Sequence, residues 1–523
     1  MIDEHVTPTT TNAPESGGRQ RRGARRALRA ARSTKTVAAL PTLQRNIPVY
    51  EVLNEEGLEL IHEASMKILE ELGIDFRDPV ALASWREAGA EISGERVRIP
   101  RELLMELVAK APSEYTMHAR NPERSVAVGH QHSIFVPMYG APYVRDLDDQ
   151  RRYSTLADLE NFHKLAHMSP ALHMTSGITC EPIDIPVPWR HLHFVYSGLA
   201  HSDKPIMGAV TAEERAEDTV AMAKIVFGEA FLEQHTVMTS VISGNSPLVW
   251  DATMLAAMRV YCQHNQAVLV SPFVMAGANT PASTVGAVAQ LNAEALAGIA
   301  YGQLVRPGAP TVYGHFLATV SMQSGAPMAG TPEISLMNFM IGQLARHYNL
   351  PWRSTAAAAG SKLFDAQAGY ESATTMLAVL LSGAHFIWHA AGWNEGGLVA
   401  SFAKFVTDAE QCEMLYKLAQ GPDFSDLDEA MAAVREVGPG GHYLGTGHTL
   451  QHFQSAFFMP QLLDNTNFEQ WQAEGGADTN TRALRKAREL LAEYEQPQLD
   501  PAVDEALLAF IQRRKNEIPP NQL

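Results

Sequence analysis

The chain has 523 residues, of which 46% are hydrophobic, and it carries a formal net charge of −17 at pH 7. This length supplies enough apolar surface for one large domain with additions or for several smaller domains. The negative charge opposes nonspecific binding to nucleic acid and to anionic lipid. No apolar run approaches the roughly 18 residues of a membrane span, so the composition favours a soluble, cytoplasmic protein with neutral or cationic ligands.

The three cysteines, Cys180, Cys262 and Cys412, are far apart and form no CxxC pair. This spacing argues against a disulfide framework and against a cysteine-based zinc site. We therefore expect buried, reduced thiols.

Arginine dominates the segment 19–35, which holds seven Arg and one Lys. A transit peptide or a nucleic-acid-binding arm can have such a run, but no apolar stripe accompanies these arginines. We therefore expect a disordered tail over residues 1–40. Beyond it, apolar residues at helical spacing in 50–71 and 100–111 predict an α-rich cap over residues 41–130.

Eight short apolar segments rich in β-forming residues follow at intervals of about 30 to 40 residues. They are residues 133–138, 171–178, 204–210, 235–243, 266–274, 309–316, 351–358 and 384–391. Each interval has room for one strand, one crossover helix and two loops, as parallel βαβ units require. The repeat predicts an α/β fold, namely a (β/α)₈ TIM barrel over residues 131–400. An open, doubly wound sheet remains an alternative, because periodicity does not show closure.

Three patterns mark helix starts between these segments. Thr155 with Asp158, and Thr211 with Glu214, have the spacing of a capping box. Thr331 before a proline predicts an N-cap followed by proline in the first helical position.

From about residue 400 the pattern becomes helical, which predicts a C-terminal helical extension over residues 401–523 that packs on or beside the barrel. A glycine-rich loop, residues 438–447, interrupts this extension. His448 and His452 follow the loop, and they either cover the active site or have a structural role.

In a TIM barrel the active site lies at the carboxyl ends of the strands. Here these ends carry mostly aromatic and hydroxyl-bearing residues and few acids. They include Tyr139, Tyr143, Ser176, Met207, Ser240, Ser243, Asn245, Ser271, Phe273, Tyr313, His315, Phe316, Arg353, Ser354, Trp388, His389 and Trp393. The absence of a spaced carboxylate pair argues against glycoside hydrolysis. The sequence also has no GxGxxG after a strand, no Walker motif and no GxSxG.

Two HxH pairs, His130 with His132 and His191 with His193, have a spacing that metal-dependent barrel hydrolases use. The first pair precedes the first predicted strand, and the second falls in the helical region after the second strand. We therefore expect exposed or capping histidines, and no metal bound by this chain.

Six aromatic residues near the strand ends predict a pocket for a soft cation. They are Tyr139, Tyr313, Phe316, Phe364, Trp388 and Trp393. A quaternary ammonium group over such ring faces gains about 2 kcal/mol or more per ring when desolvated. The alternative for each ring is that it only fills the core.

Several long motifs resemble the trimethylamine methyltransferase family. Residues 313–333 read YGHFLATVSMQSGAPMAGTPE, and LMNFMIGQLARHYNLPWRS and GSKLFDAQAGYESATTMLAVLLSGAHFI follow. The resemblance extends over nearly the whole chain through IPVYEVLNEEGLELIHEASMKILEELGIDF at 47–76 and through GGHYLGTGHTLQHF, with Trp471 and Asp478, towards the C-terminus.

The resemblance implies a TIM barrel that moves a methyl group from a methylated amine to the cobalt(I) of a corrinoid (cobalamin) carried by a separate protein. Founding members of the family carry pyrrolysine near the end of the seventh strand, whereas this chain has only standard residues. The corresponding position falls between Ala356 and Lys362, with Gly360 as the candidate.

Family members without pyrrolysine include enzymes that demethylate glycine betaine. A quaternary nitrogen already carries the positive charge that makes a neutral tertiary amine the leaving group, so the protein must supply only desolvation, orientation and a close nucleophile. We therefore expect glycine betaine as the substrate and dimethylglycine as the product.

The substrate carboxylate needs a cationic or hydrogen-bonding partner. His315, Arg353, His389 and Lys362 are the candidates, and an Arg would bind the carboxylate best in a bidentate arrangement.

His389, Gln323 and Glu333 are the candidate catalytic residues. Gln323 and Glu333 belong to the SGAPMAGTPE loop region after the sixth strand, beside the expected docking place of the corrinoid protein. Glu333 alternatively stabilises the first turn of a helix through the helix dipole, and Asp365 alternatively caps the next helix.

Two other functions remain open on the sequence alone. The first is a trimethylamine or other tertiary-amine methyltransferase of the same fold. The second is a nonenzymatic protein that binds a quaternary-amine osmolyte, although a periplasmic protein of that kind would need a signal peptide and two lobes. We expect no nucleic-acid or membrane partner, and we expect an even-numbered homo-oligomer from the frequency of symmetric assemblies.

Overall fold

A computed structural model describes residues 39–521. The tail predicted over residues 1–40 therefore lies almost wholly outside the described residues. Within 39–521, no helix combines the length and the apolar character that crossing a bilayer requires.

In the described part of the chain, six short strands and three α-helices come before β7. In chain order they are β1 (Leu43–Gln44), α1 (Glu55–Lys67), β2 (Ile74–Arg77), α2 (Pro79–Glu87), β3 (Glu91–Ser93), β4 (Arg96–Arg98), α3 (Arg101–Val108), β5 (Glu114–Met117) and β6 (Val126–Gly129). Asn54 and Asp78 cap α1 and α2, because their side chains accept hydrogen bonds from first-turn backbone amides. Helices α1 and α3 lie where helical spacing predicted them. Strands β2 to β6 were not predicted, because three or four residues carry too little alternation to identify a strand.

Strands and helices then alternate up to residue 401. In chain order they are β7 (His132–Phe135), β8 (Tyr143–Arg145), β9 (Arg151–Tyr153), α4 (Leu156–Met168), α5 (Arg190–His201), β10 (Ile206–Met207), α6 (Glu213–Phe227), α7 (Glu229–Gln234), β11 (Met238–Ile242), β12 (Val249–Asp251), α8 (Ala252–Gln263), β13 (Ala267–Val270), β14 (Phe273–Ala276), α9 (Thr284–Val305), β15 (Thr311–Gly314), β16 (Phe316–Val320), β17 (Pro327–Met328), α10 (Pro332–His347), β18 (Trp352–Thr355), α11 (Ala366–Leu381), β19 (Phe386–Trp388), β20 (Trp393–Asn394) and β21 (Val399–Ser401).

The main sheet is curled, and its core is parallel in the order β10-β11-β13-β15-β18-β19-β7. Strands β6, β5 and β1 continue it in antiparallel pairings. Every residue of β11 and of β13 is buried, as expected for parallel strands with helices against one face and packed side chains against the other. The seven parallel strands overlap seven of the eight segments predicted from sequence, with β7 beginning one residue earlier than predicted, and the fold is mixed α/β as predicted.

The eighth predicted segment, residues 171–178, is not a regular strand. It forms only one isolated bridge to β7. Its backbone nevertheless bonds to both neighbours, because His173 N donates to Phe135 O (2.9 Å) and Met207 N donates to Ser176 O (3.1 Å). Ser176 has a φ of 68°, which lies outside the strand region and explains the interruption.

Two of the predicted helix starts are confirmed. Thr155 and Asp158 form a reciprocal capping box at the start of α4. Thr331 is the N-cap of α10, and Pro332 occupies the first helical position.

The third predicted start was wrong. Helix α6 begins at Glu213, its N-cap is Ala212, and no side chain caps it. The hydroxyl of Thr211 instead accepts a hydrogen bond from Arg215 Nη1 at 2.7 Å, so this threonine binds a side chain rather than the backbone amides of the first turn.

Helices dominate the chain after residue 401. They are α12 (Phe402–Ala419), α13 (Leu427–Val437), α14 (Gly447–His452), α15 (Phe468–Ala473), α16 (Thr479–Glu493) and α17 (Pro501–Glu517). Helix α12 packs against α16. The carboxylate of Glu410 on α12 accepts hydrogen bonds from the backbone amides of Leu462 (2.9 Å) and Leu463 (3.3 Å), which fixes the segment between α14 and α15 to α12.

Candidate functional site

The candidate site lies at the carboxyl ends of β15, β18 and β19. The register pairs Gly314 with Arg353, and Thr355 with Trp388. Arg353 and Trp388 therefore belong to neighbouring strands and are near one another in the interior.

Three rings form a continuous stack after β19. The imidazole of His389 lies parallel to the ring of Trp388 (centroids 4.6 Å apart) and to that of Trp393 (4.0 Å), each at an interplanar angle of 15°. Phe316 presents its edge to the His389 ring and to the Trp393 ring. Tyr139 meets Trp388 edge-on at 5.1 Å. The stack is a wall of π faces and edges, which suits a soft organic cation.

The backbone that carries this wall is strained. His389 has a φ of 58° and Ala357, after β18, has a φ of 44°, and both are non-glycine residues in the left-handed region. Ser176, in the segment 171–178, also has a positive φ. Non-glycine residues rarely adopt this backbone conformation unless the surrounding structure enforces it, and such outliers cluster at functional sites.

Arg353 is a buried cation without an anionic partner. Its side chain is 1% exposed, and its Nε and Nη1 atoms have no hydrogen-bond partner among the described residues. The guanidinium carbon lies 4.4 Å from the centroid of the Trp388 ring. A buried, unpaired charge is costly unless an ion of opposite sign neutralises it, so the surroundings of Arg353 suit an anionic group.

Glycine at position 314 allows Ser271 of the neighbouring strand segment to approach closely beside Arg353. A Cβ at Gly314 would lie 2.7 Å from Ser271 Oγ and 3.4 Å from Arg353 Cδ. The first distance is shorter than van der Waals contact allows, so any larger residue would displace Ser271, whereas the second is an ordinary contact.

Further buried polar atoms at the strand ends lack partners among residues 39–521. They are Ser240 Oγ, Ser271 Oγ, both ring nitrogens of His315, Ser354 Oγ, Thr355 Oγ1, His389 Nδ1, Trp393 Nε1 and both side-chain polar atoms of Asn394. Most buried polar atoms in proteins are hydrogen-bonded. Their concentration here indicates that a polar ligand or ordered water completes the hydrogen bonding.

The two histidines of the site are neutral near pH 7. Burial, followed by the charge of Arg353, lowers the pKa of His315 to about 3. The same two causes, followed by the charge of His315, hold the pKa of His389 well below its usual value. Burial lowers the pKa of Arg353 to about 9, which still leaves the guanidinium protonated at neutral pH. The site therefore contains one positive charge beside uncharged rings.

A buried ion pair on α12 contacts the backbone after β18 and after β19. Lys404 Nζ lies 2.6 Å from Asp408 Oδ2 and donates to Ala357 O at 2.8 Å. Asp408 also accepts from Gly392 N at 2.9 Å. The pair thus fixes the strained residue after β18 and the turn that leads into Trp393, and it is a positioning device that the sequence did not reveal.

The structure brings together six of the residues predicted for the site: Tyr139, Phe316, Arg353, Trp388, His389 and Trp393. His315 lies close to them, against the ring of Trp352 at 6.1 Å. Phe364 is partly buried and packs against the hydrophobic core.

Tyr313 lies elsewhere. Its hydroxyl donates to Asn292 Oδ1 on α9 at 2.9 Å, so its ring faces the helix layer and not the aromatic wall. Lys362 is exposed, and its ammonium group donates to the carbonyl of Gly360 at 2.9 Å.

Gln323 and Glu333 are both exposed. Gln323 lies between β16 and β17, and Glu333 lies in the first turn of α10. The β17 segment reaches the hairpin of Trp393, because a Cβ on Gly396 would lie 3.8 Å from Pro327 Cγ. These two residues therefore belong to a loop region at the edge of the site and not to its interior.

Gly360, the candidate for the pyrrolysine position, lies in the loop after β18. Its amide donates to Glu371 Oε2 at 2.8 Å. Next to it, the carbonyl of Ala359 accepts from the amide of Gly396, which ties the loop to the β20 hairpin. Asp365 caps α11 through the amide of Ala368, as the alternative interpretation from sequence predicted.

The two HxH pairs lie in different environments. His130 and His132 both lie near the carboxylate of Glu114, at 3.3 and 3.2 Å. The expectation of an exposed or capping residue is confirmed for His130, which is exposed. It was wrong for His191, which is buried and has its Nε2 atom 2.8 Å from Asp218 Oδ2. A carboxylate on the neighbouring helix, invisible to local sequence patterns, makes this burial possible.

Sequence reasoning missed Asn394, although it directly follows Trp393. Both polar atoms of its amide are buried and without partners among the described residues. The aromatic residues of this region indicated a site for a cation, whereas Asn394 belongs to no sequence motif that would have indicated its role.

Comparisons with known proteins identify a family of methyltransferases that resembles this chain over most of its length. The family model described as trimethylamine methyltransferase (MTTB) matches residues 18–519. A glycine betaine methyltransferase of Desulfitobacterium hafniense (strain Y51) is 41% identical over 473 residues, which cover 90% of this chain and 98% of that protein. A proline betaine:corrinoid methyltransferase of Eubacterium limosum is 27% identical, with 88% and 96% covered. A trimethylamine methyltransferase of Methanosarcina barkeri is 25% identical, with 88% and 94% covered.

Among solved structures, the monomethylamine methyltransferase (MtmB) of Methanosarcina barkeri superimposes with a TM-score of 0.51. The alignment covers 86% of this chain and 90% of that one. Because the sequence identity is only 9%, the alignment shows similarity of fold and nothing more. The match of the family model over nearly the whole chain shows more, and we conclude that this protein belongs to the trimethylamine methyltransferase family.

Proposed function

We propose that this protein transfers a methyl group from glycine betaine to the cobalt(I) of a corrinoid that a separate protein carries, with release of dimethylglycine. One observation carries the proposal: a buried, unpaired guanidinium lies beside a wall of aromatic rings. Glycine betaine is the zwitterion with the complementary pair of groups, a carboxylate and a trimethylammonium.

The carboxylate end binds Arg353. A guanidinium forms bidentate, charge-assisted hydrogen bonds with a carboxylate, and Arg353 has two nitrogen atoms without partners among the described residues. Neutralising this charge inside the protein removes a large unfavourable term that exists without a ligand.

The ammonium end lies against the rings of Trp388, His389, Trp393 and Phe316. Each desolvated ring face contributes about 2 kcal/mol to the binding of a quaternary ammonium. The charge of Arg353 counts against a ligand that is only a cation, because like charges in a site of low dielectric constant repel strongly. The site therefore favours betaines over trimethylamine in its protonated form.

The residues of the site act on the substrate by binding, orientation and exclusion of water. His389, whose lowered pKa keeps it neutral near neutral pH, does not act as a general acid and serves as a stacked, polarisable surface. The C–N bond breaks with its electron pair going to nitrogen, so the leaving group is neutral at nitrogen and needs no acid. Orientation and desolvation are then the main contributions of the protein.

The methyl acceptor comes from outside this cluster. Within the residues that the structure brings together here there is no acid and no thiol to accept a methyl group, which fits an acceptor carried by a partner. The corrinoid supplies a strongly nucleophilic cobalt(I) when its carrier is docked. We place that docking at the loop region of Gln323 and Glu333, because these residues are exposed at the edge of the site.

We also infer that the curled sheet closes into a (β/α)₈ barrel. The backbone hydrogen bonds of the segment 171–178 to β7 on one side and to β10 on the other support closure. In this arrangement residues 131–400 form the barrel, residues 41–130 form a cap, and residues 401–523 form the extension.

A cytoplasmic location is part of the proposal, because a cobalt(I) acceptor requires a reducing compartment. The three free, buried cysteines are consistent with it. We further propose a homo-oligomer, since large apolar side chains in and near α14 are exposed to an unusual degree, including Leu444 (80%) and Phe457 (82%).

The test is methylation of cobalt(I) cobalamin by the purified protein, followed by the absorbance change to methylcobalamin. Glycine betaine is compared with choline, which has the same head group but no carboxylate, and with trimethylamine. We expect turnover with glycine betaine, and choline and trimethylamine at least about 100-fold slower, as the loss of a charge-assisted pair implies. Turnover of trimethylamine but not of glycine betaine would refute the proposal, and binding of glycine betaine without any turnover would indicate an osmolyte-binding protein.

A further inference from the structure

Three side chains of metal-ligand type meet in the C-terminal extension, apart from the residues of the aromatic site. Asp426 directly precedes α13, and His448 and His452 lie on α14. One ligand atom from each lies within 4.8 Å of the other two. We call these three residues the α13–α14 cluster.

The distances within the cluster suit a common ion. His448 Nε2 lies 3.5 Å from Asp426 Oδ2, and two ligands of a tetrahedral zinc ion, each about 2.0–2.1 Å from the metal, are roughly 3.4 Å apart. His448 and His452 are four residues apart on one helix, so their rings project from the same face. The ring centroids are 4.6 Å apart.

One ring nitrogen of each histidine lies near a carboxylate, at 3.5 Å from Asp426 for His448 and at 3.8 Å from Glu429 for His452. The Nε2 atoms of His448 and His452 are buried and have no hydrogen-bond partner within residues 39–521, although each side chain is about one quarter exposed. Buried polar atoms without a partner call for an unseen ligand. Two such nitrogens within 4.8 Å of a carboxylate oxygen are an arrangement that a cation completes.

A fourth ligand is within reach. Glu429, on the first turn of α13, has its Oε2 atom 3.8 Å from His452 Nε2. Its side chain is largely exposed and free to rotate towards the cluster. Either this carboxylate or a water molecule completes a tetrahedral set.

We propose that the α13–α14 cluster binds one Zn²⁺ ion, with His448 Nε2, His452 Nε2 and an Asp426 oxygen as protein ligands. Two imidazoles with one or two carboxylates favour zinc over magnesium or calcium, which prefer sets of oxygen ligands only. The H-x₃-H spacing is also typical of zinc sites.

The ion has a structural role. It joins the start of α13 to α14 across the glycine-rich loop, in which Gly438 and Gly440 adopt positive φ angles of 63° and 80°. Such a loop gains much conformational freedom when it is not fixed. Zinc would therefore order residues 438–452, and its binding energy would stabilise the extension.

The first experiment measures metal binding by the full-length wild-type protein. The protein is dialysed against a chelator and then titrated with Zn²⁺ in competition with a chromophoric chelator, and a parallel sample receives Co²⁺. We expect one Zn²⁺ per chain with micromolar or tighter affinity, and visible absorption of the Co²⁺ sample typical of tetrahedral coordination. Failure of the wild-type protein to bind Zn²⁺ in this range would overturn the proposal without any variant.

The second experiment locates the ion. His448→Gln and His452→Gln should each weaken Zn²⁺ binding at least 10-fold, whereas His442→Gln should leave it unchanged, because His442 lies exposed in the same loop and outside the cluster. Hydrogen exchange of peptides from residues 438–452 should slow when Zn²⁺ is added to the wild-type protein and not when it is added to the His448→Gln variant. Equal affinity in all three variants would refute the assignment.

Discussion

The guanidinium carbon of Arg353 lies 4.4 Å from the centre of the Trp388 ring, and this cation–π contact is the nearest compensation that the described residues offer to a fully buried charge. The unpaired charge of Arg353 favours an anionic group, whereas the neighbouring aromatic rings favour a cationic one. A small zwitterion satisfies both.

Arg353→Met should lower kcat/KM for glycine betaine about 100-fold, because a charge-assisted pair inside a protein contributes roughly 3 kcal/mol. The same change should not reduce stability in urea and should raise it, since it removes a buried, unpaired charge. Arg306→Met is the matched control, because Arg306 is near the surface and binds a backbone carbonyl. Reduced activity without any gain in stability would contradict the view that Arg353 is unpaired before substrate binds.

Trp393→Ala should abolish turnover of glycine betaine while the protein still folds, because the stack with His389 and the edge contact with Phe316 are both lost. Trp393→Phe should retain part of the activity through its smaller ring face. Trp471→Ala, on α15, serves as control and should keep full activity. Steady-state assays with circular dichroism of each variant test this expectation, and wild-type rates in Trp393→Ala would remove this residue from the site.

His389→Asn separates the ring from the backbone. Asparagine tolerates the positive φ that His389 adopts, so folding should be kept, but the stack between two tryptophans is lost. We expect a loss of turnover comparable to that of His389→Ala. A variant with full activity would show that only the backbone at position 389 matters.

Acid should destabilise the protein through its buried histidines. Burial lowers the pKa values of His163 and His173 to about 4 and that of His315 to about 3. The unfolded chain binds protons at these residues below about pH 6.5, whereas the folded chain does not, so stability is complete above that pH and falls as the pH drops towards 4. Urea unfolding at pH 7.5, 6 and 5 measures this trend.

The rate of methyl transfer should show no histidine step between pH 6 and 8, because His315 and His389 stay neutral throughout this range. A rate profile that falls with a midpoint near pH 6.5, at saturating substrate and with intact protein, would argue for a histidine that titrates during the reaction.

Lys404→Met should destabilise the protein by about 3–5 kcal/mol, because it leaves the buried carboxylate of Asp408 without its cation. The double variant Lys404→Met with Asp408→Leu should recover much of this stability but not the activity, since Ala357 and Gly392 lose their support. Chemical unfolding combined with the betaine assay distinguishes the two effects. Full activity of the double variant would show that the pair does not position the site.

Glu413→Gln should stabilise the protein at pH 8 and have little effect at pH 5. Burial and the nearby charge of Glu410 raise the pKa of Glu413 to about 7. A carboxyl group whose folded pKa is raised stabilises the fold fully only below its unfolded pKa, and this contribution is lost as the pH rises through about 4.5 to 7. We expect a gain of about 1 kcal/mol at pH 8, after allowance for partial exposure. Thermal unfolding at the two pH values provides the measurement.

The sequence by itself determined the strand positions of the sheet and the aromatic character of its carboxyl ends. Seven apolar segments became parallel strands, and Arg353, Trp388, His389 and Trp393 fell at their ends as predicted. An apolar strand and the residues that follow it are consecutive in sequence, so a local pattern is enough to predict both.

Only the tertiary structure decided which of these side chains share a site. Strands covered on both faces are apolar throughout, so the pattern of β15 did not reveal that Tyr313 turns towards α9 while Gly314 faces Arg353. The pair Lys404 and Asp408 acts on residues that are distant in sequence. Whether a buried charge is paired depends on contacts across the whole fold, and no local pattern records them.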